Sequence, residues 1–194
     1  MDIRLFFCYN LAMQRRLFIA ISVPENIKKR VFRLIEREYE NLPVRWVRPE
    51  NFHLTLNFLG YVPEEKIPEI CKSLEAVASD KPAFDIDFTE ICVGPTEAVK
   101  KMIWVKGGQN NSLDALRYSL DRELHYSSRE KNKFIPHLTF GRIKRTLWNK
   151  LKPQPQIERE FKFLLPVSNV DLMESRYEKG KRTYYCLASF VLNG

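Results

Sequence analysis

Phe52-His53-Leu54-Thr55-Leu56-Asn57-Phe58 and, 84 residues on, Pro136-His137-Leu138-Thr139-Phe140-Gly141-Arg142 carry one pattern twice: His-Leu-Thr followed by an apolar residue. Each copy has a short extended lead-in and lies in an apolar-rich run. The chain holds three histidines and only six threonines, so a threonine two places after two of the three is not expected by chance. Side chains on a β-strand alternate faces. His53, Thr55 and Asn57 are therefore expected on one face, with Phe52, Leu54, Leu56 and Phe58 on the other, where a helix can cover them. The second copy repeats this, with His137 and Thr139 on one side and Leu138 and Phe140 on the other. If the two strands lie side by side, or mirror each other across a groove, two imidazoles and two hydroxyls converge on one concave site.

Working outward, residues 16–22 read as a first strand and Pro24 opens a helix, since proline lacks the N–H that a first helical turn leaves unpaired. Ile27, Val31, Leu34, Ile35 and Tyr39 recur at helical spacing. Residues 44–47 read as a short strand, Pro49-Glu50-Asn51 as a turn, and 52–59 as a strand ended by Gly60. A second helix is expected over 63–79 and strands over 83–93 and 102–106. A third helix, capped by Asn111-Ser112, carries a stripe of Leu113, Leu116, Leu120 and Leu124. After the second motif strand come a helical turn at 146–151 and strands over 160–165, 170–176 and 183–192. This order suggests an internal duplication, each half giving one long outer helix and one motif strand. The fold class expected is α+β in two lobes, mainly antiparallel sheets with helices on the outer faces.

The chain has 194 residues, enough for one unit with a sizeable core. Residues 1–14 read as a leader outside the fold, with Met1 and Met13 both open as the true start, and 15–194 as a single domain. Lys and Arg exceed Asp and Glu by 32 to 24, a surplus of +8 that favours polyanions without identifying one. Four separated cysteines form no Cys-x-x-Cys pair, which argues against a zinc ribbon or redox dithiol and suits a reducing compartment with single, mostly buried thiols. No apolar run approaches the roughly 18–20 residues of a membrane helix. Cytoplasmic location and a monomer are the defaults.

The paired groups suit a cyclic phosphodiester. An imidazole with a pKa of about 6.5 exists in both forms near neutrality. One neutral histidine takes a proton from attacking water while an imidazolium protonates the departing ribose oxygen. Threonine hydroxyls donate to the non-bridging oxygens. Neither motif has a carboxylate or cysteine at ligand spacing, so no metal and no cofactor is expected.

These motifs resemble the two-histidine phosphoesterase superfamily, and within it the RNA 2′,3′-cyclic phosphodiesterases first described as 2′-5′ RNA ligases. The resemblance runs from about Arg16 to Phe190. Its markers are Arg16-Leu17-Phe18-Ile19-Ala20-Ile21, Trp46-Val47, Pro49-Glu50-Asn51 before the first motif, Phe58-Leu59-Gly60 after it, Gly141-Arg142 after the second, and Ser175, Gly180, Tyr184 and Leu187. It implies two pseudo-symmetric lobes with the motifs facing each other across a central cleft. It also implies His53 as donor to the leaving 3′ oxygen, His137 as the base that activates water, and a 2′-phosphate product. The residues alone show no asymmetry between the two histidines. The implied substrate is RNA with a 2′,3′-cyclic phosphate end, transfer-RNA fragments among the candidates, with weak reverse 2′-5′ joining compatible with the same pair. A non-catalytic nucleotide- or RNA-binding module on the same scaffold and a small-nucleotide cyclic phosphodiesterase stay open beside it.

Arg142 is the best candidate for a cationic phosphate contact, because a guanidinium grips phosphate with two bonds. Plain alternation gives it the wrong parity; a bulge at Gly141 would turn it inward. Lys133, Arg176, Lys181 and Arg182 are candidates to line an RNA approach, or are simply solvated loop charges. Tyr184 and Trp46 are either base-stacking or core residues. His125, near the end of the third helix, reads as a partner of the last carbonyls, outside catalysis.

Overall fold

In β1 (Gln14–Ser22) both faces are apolar, with Leu17, Ile19 and Ile21 on one side and Phe18 and Ala20 on the other, all buried. Such a strand belongs in the middle of a sheet. The computed structural model, which describes residues 13–95, 100–124 and 134–193, places it there. β1 lies between β3 (His53–Pro63) and β8 (Asn169–Glu178), and β9 (Lys181–Val191) completes a four-stranded antiparallel sheet in the order β3-β1-β8-β9. A second antiparallel sheet runs β2-β6-β5-β4-β7, from β2 (Val44–Trp46), β6 (His137–Ile143), β5 (Lys100–Gly107), β4 (Phe84–Pro95) and β7 (Arg159–Val167).

Helix α1 (Glu25–Leu34), prolonged by a π turn over Ile35–Tyr39, buries Ile27, Val31, Leu34, Ile35 and Tyr39, the stripe its periodicity predicts. It covers the second sheet. Arg30 lies over the Phe161 ring and donates to the Lys162 carbonyl at 3.1 Å, and Tyr39 stacks on Trp46. Helices α2 (Ile67–Ser79) and α3 (Asn111–Glu123) cover the first sheet, α2 against β8 and β9, α3 against β3. The cap of α3 is Asn110, whose Oδ1 accepts from the Leu113 amide at 3.0 Å. The short α4 (Arg145–Trp148) delivers the buried Trp148.

The structure thus has the two antiparallel sheets and outer helices of the expected α+β class. The halves of the sequence are not the lobes, however. The first sheet takes β1 and β3 from early in the chain and β8 and β9 from its end. α1 from the first half covers the second sheet, and α3 from the second half covers the first. Helical periodicity decides which stripe is apolar and leaves open which sheet it meets. One core cluster runs from Leu17 to Leu192 through both lobes.

At its edges the fold departs from the sequence reading in two places. β3 continues through Gly60, which adopts φ +75 where Leu59 bulges out of register, and ends only at Pro63. β1 begins at Gln14, and the Met13 carbonyl accepts from the Glu64 amide at 3.0 Å, so the last two residues of the expected leader touch the fold. Residues 1–12 lie outside the described residues. Among the described cysteines, Cys71 and Cys92 are half-buried and Cys186 is exposed, all three as free thiols.

What positions the site is the meeting of two sheet edges. Only residues 47–52 lead from β2, at the edge of the second sheet, to β3, at the edge of the first. Across this junction the buried Phe52 and Phe140 rings stack with centroids 6.1 Å apart. Burying rings of this size contributes about 1.5–3 kcal/mol each, and it holds the two motif strands against one another.

Candidate active site

The motif strands are structural copies. Along seven residues from each histidine the burial pattern of β3 and β6 is the same. In both, the fourth motif residue is a bulge. Ala20 faces Thr55 and Ile19 faces Asn57, leaving Leu56 extra; Trp104 faces Thr139 and Ile103 faces Gly141, leaving Phe140 extra. A bulge shifts side-chain parity by one. After it, Asn57 and Gly141 turn to the buried side while Phe58 and Arg142 turn out with the histidines.

This corrects the plain alternation expected for the first motif. Asn57 leaves the His53 face, is buried, and donates to Asp121 of α3 at 2.5 Å. Phe58, expected under a helix, is 68% exposed. For the second motif the bulge at 140–141 does turn Arg142 outward beside His137 and Thr139. Gly141 is needed there for room. A Cβ would stand 2.4 Å from Val44 Cγ1 and 2.9 Å from Trp46 Cε3.

The two imidazoles are held alike. His53 Nδ1 lies 2.8 Å from the Asn51 carbonyl and His137 Nδ1 lies 2.8 Å from the Ile135 carbonyl. A carbonyl only accepts, so each Nδ1 carries a proton and donates it. In the neutral ring the lone pair that exchanges protons is then on Nε2 in both. A charge on His137 is felt at His53 and disfavours a second charge there, so the two rings lie within electrostatic reach of each other. Thr55 and Thr139, half-buried, stand on the same faces two residues on.

The surroundings are not alike. His53 is packed among Phe18, 4.9 Å away between centroids, and Tyr184, edge-on at 5.0 Å. Burial pushes its pKa down from 6.5 to about 4, against the opposing pull of the Asn51 carbonyl and with a further lowering from His137. His137 instead lies face to face with Trp104, centroids 4.0 Å apart and planes 25° from parallel. Trp104 is seated over Gly94, where a Cβ would come within 2.5 Å of the indole. An aromatic face favours a cation above it.

Arg142 is exposed, and its Nη1 reaches Met102 Sδ at 3.7 Å. Arg45 of β2 pairs with it directly across the strands and is likewise exposed, a residue the sequence reading did not single out. Like charges facing each other on adjacent strands are unfavourable unless an anion lies between them. Phe58, Trp104 and Arg45 escaped detection because bulge and cross-strand register, not local pattern, bring them to the site. Trp46 stacks on Tyr39 and packs on the core. Tyr184 is part of the His53 surround. Arg176 bonds Glu174 and lies over Tyr185 on the outer face of its hairpin, with Lys181 on the same side, so neither stands on the His53 face. His125 and Lys133 lie outside the described residues. Among the described residues no three His, Cys, Asp or Glu side chains cluster so as to hold a metal ion.

A two-sheet α+β fold with a bulged His-x-Thr strand from each sheet at their junction defines a two-histidine phosphoesterase. The comparisons agree. The model of the LigT-like phosphoesterase family matches residues 21–104. An RNA 2′,3′-cyclic phosphodiesterase of Methanocaldococcus jannaschii is 35% identical over 145 residues, covering 74% of this chain and 80% of that protein. The fold is shared with TT0787 of Thermus thermophilus (TM-score 0.77, 24% identity, 92% of this chain and 98% of that one). It is also shared with E. coli LigT complexed with 3′-AMP (TM-score 0.76, 22% identity, 94% and 100%). The chain belongs to the LigT-like phosphoesterase family.

Proposed function

We propose that this chain hydrolyses RNA 2′,3′-cyclic phosphate ends to 2′-phosphates, with His53 and His137 as its acid–base pair. The observation that supports this reading is the doubled geometry: two histidine rings held alike through Nδ1 on matching bulged strands, within electrostatic reach of each other. In the step, His137 Nε2 takes a proton from water as the water oxygen bonds to phosphorus. The bond from phosphorus to O3′ breaks, and His53 Nε2–H protonates that oxygen. Thr55, Thr139 and Arg142 donate to the non-bridging oxygens. Only the family resemblance supports the direction of transfer. The environments set its condition. His53 is neutral in the empty site, so it becomes a donor after the phosphodiester anion has entered and raised its proton affinity. Trp104 favours the imidazolium that His137 becomes.

Relatives of this chain carry the name RNA 2′,3′-cyclic phosphodiesterase, and among the described residues no helix is long and apolar enough to cross a membrane. In our reading residues 15–194 act as a single monomeric unit, in the cytoplasm, on ends that include transfer-RNA fragments. His53→Asn and His137→Asn are each expected to lower turnover of a 2′,3′-cyclic dinucleotide by roughly 10²–10⁴-fold. The wild-type pH–rate profile is expected to be bell-shaped and unaffected by EDTA. Undiminished hydrolysis in either variant removes the assignment.

A further inference from the structure

The β8–β9 hairpin has two faces that differ in how their charges are satisfied. On the outer face Glu174 is bonded by Arg15 and Arg176, Arg176 lies over Tyr185, and Tyr185 donates to Glu178 at 2.8 Å. That face is internally neutralised. On the cleft face the alternating positions are Met173, Ser175 and Tyr177 of β8, opposite Cys186, Tyr184 and Arg182 of β9. Met173 packs with Phe18, Ala20 and Tyr184 beside His53, which places this row on the His53 side.

The row ends on an aromatic and a cation. Tyr177 is 71% exposed. Arg182, cross-strand from it, donates to Ser175 Oγ at 2.7 Å, a neutral partner that orients the guanidinium; among the described residues no carboxylate pairs with it. The hairpin is also tied to the catalytic candidate. Asn51 donates through Nδ2 to the Arg182 carbonyl at 3.2 Å, and the Asn51 carbonyl is the acceptor of His53 Nδ1. A tight tip with Lys179 at φ 48 and Gly180 at φ 76 closes the ribbon, the left-handed pair that two-residue hairpins require. Tyr177 and Arg182 stand one same-face rung beyond Tyr184, about 7 Å along the strands.

We propose that the cleft face of this hairpin, Tyr177 with Arg182, is a subsite for single-stranded RNA on the 5′ side of the terminal nucleotide. The proposal rests on the reading of the site as one for cyclic phosphate ends. A 2′,3′-cyclic phosphate closes the 3′ terminus, so every other nucleotide extends from the 5′ side of the terminal one. An exposed aromatic ring beside a guanidinium that no described carboxylate pairs with is the combination that holds unpaired nucleotides without reading their sequence, by stacking a base and contacting its phosphate. Tyr177 takes the penultimate base and Arg182 the phosphate joining it to the last nucleotide. The chain is then selective for oligonucleotides over cyclic mononucleotides.

The test uses the full chain, with a 2′,3′-cyclic mononucleotide and a trinucleotide ending in the same cyclic nucleotide, and anisotropy of a labelled trinucleotide as a separate binding readout. Wild type is expected to favour the trinucleotide in kcat/KM. Tyr177→Ala is expected to shrink that preference roughly tenfold and weaken trinucleotide binding by a similar factor, with Tyr177→Phe restoring both. Arg182→Gln should weaken trinucleotide binding and flatten its salt dependence. Equal handling of the two lengths by wild type, or a Tyr177→Ala variant that keeps the preference, overturns the subsite. Tyrosine-dependent binding without turnover of either substrate supports the subsite and instead removes the catalytic reading.

Discussion

Replacing His53 by Asn tests whether the packing around that ring penalises its charged form. The amide nitrogen of asparagine can occupy the place of Nδ1 and still donate to the Asn51 carbonyl, so the local anchor is kept while the titrating Nε2 is removed. In the folded chain the His53 pKa is pushed down from 6.5 to about 4 by burial. Because the folded value is the lower one, the unfolded chain binds more protons between these two values. Stability therefore falls as pH drops through that window and is indifferent to this group above and below it. At about pH 4.5 the unfolded imidazole is almost fully charged and the folded one mostly neutral, a difference on the order of 2–3 kcal/mol. Carboxylates titrate in the same range, so the informative quantity is a double difference. Urea unfolding of wild type and His53→Asn is measured at about pH 7 and about pH 4.5. Wild type is expected to lose about 2 kcal/mol more than the variant on acidification. Equal losses refute the premise that burial among Phe18 and Tyr184 holds His53 neutral. With it goes the ordering in which the substrate anion enters before His53 is protonated.

Three further outcomes follow from contacts at the site. Gly141→Ala should destabilise the fold by roughly 1–3 kcal/mol, because its Cβ collides with Val44 and Trp46 where β2 meets β6; an unchanged thermal midpoint would show that β2 shifts freely. Trp104→Leu removes the face that supports His137 and is expected to lower kcat about tenfold with little effect on KM, moving the limb of the pH–rate profile that reports the base; a change in KM alone would argue against a positioning role. Arg45→Gln and Arg142→Gln should each weaken inhibition by inorganic phosphate several-fold, with the double variant less than the sum because the two share one anion; strict additivity would separate them.

Most elements could be read from the chain because their signals are local. The stripe Ile27, Val31, Leu34 and Ile35 is buried as its 3.6-residue period predicts. The proline and glycine punctuation marks turns close to where they occur. Where the reading failed, a long-range partner decided. The parity of Asn57 and Phe58 was inverted by one extra residue, a bulge defined only by the register of β1 against β3. Which sheet each helix covers was not legible for a related reason, since an apolar stripe says that it will be covered and not by which sheet. Arg176 and Arg182 were indistinguishable as loop cations; the pairing of β8 with β9 sends one to Glu174 and the other to the cleft.

By itself the chain determined which chemistry was on offer: two imidazoles, each with a hydroxyl two residues on, in strands whose opposite faces are oily enough to be buried. It also determined the like treatment of both rings, since the lead-in residues Asn51 and Ile135 supply the carbonyls that orient them. Only the tertiary structure made the two histidines different. One is set among Phe18 and Tyr184, where charge is disfavoured, and the other is stacked on the face of Trp104. An imidazole's proton affinity depends on the dielectric and the rings around it, and those neighbours come from strands far away in the sequence.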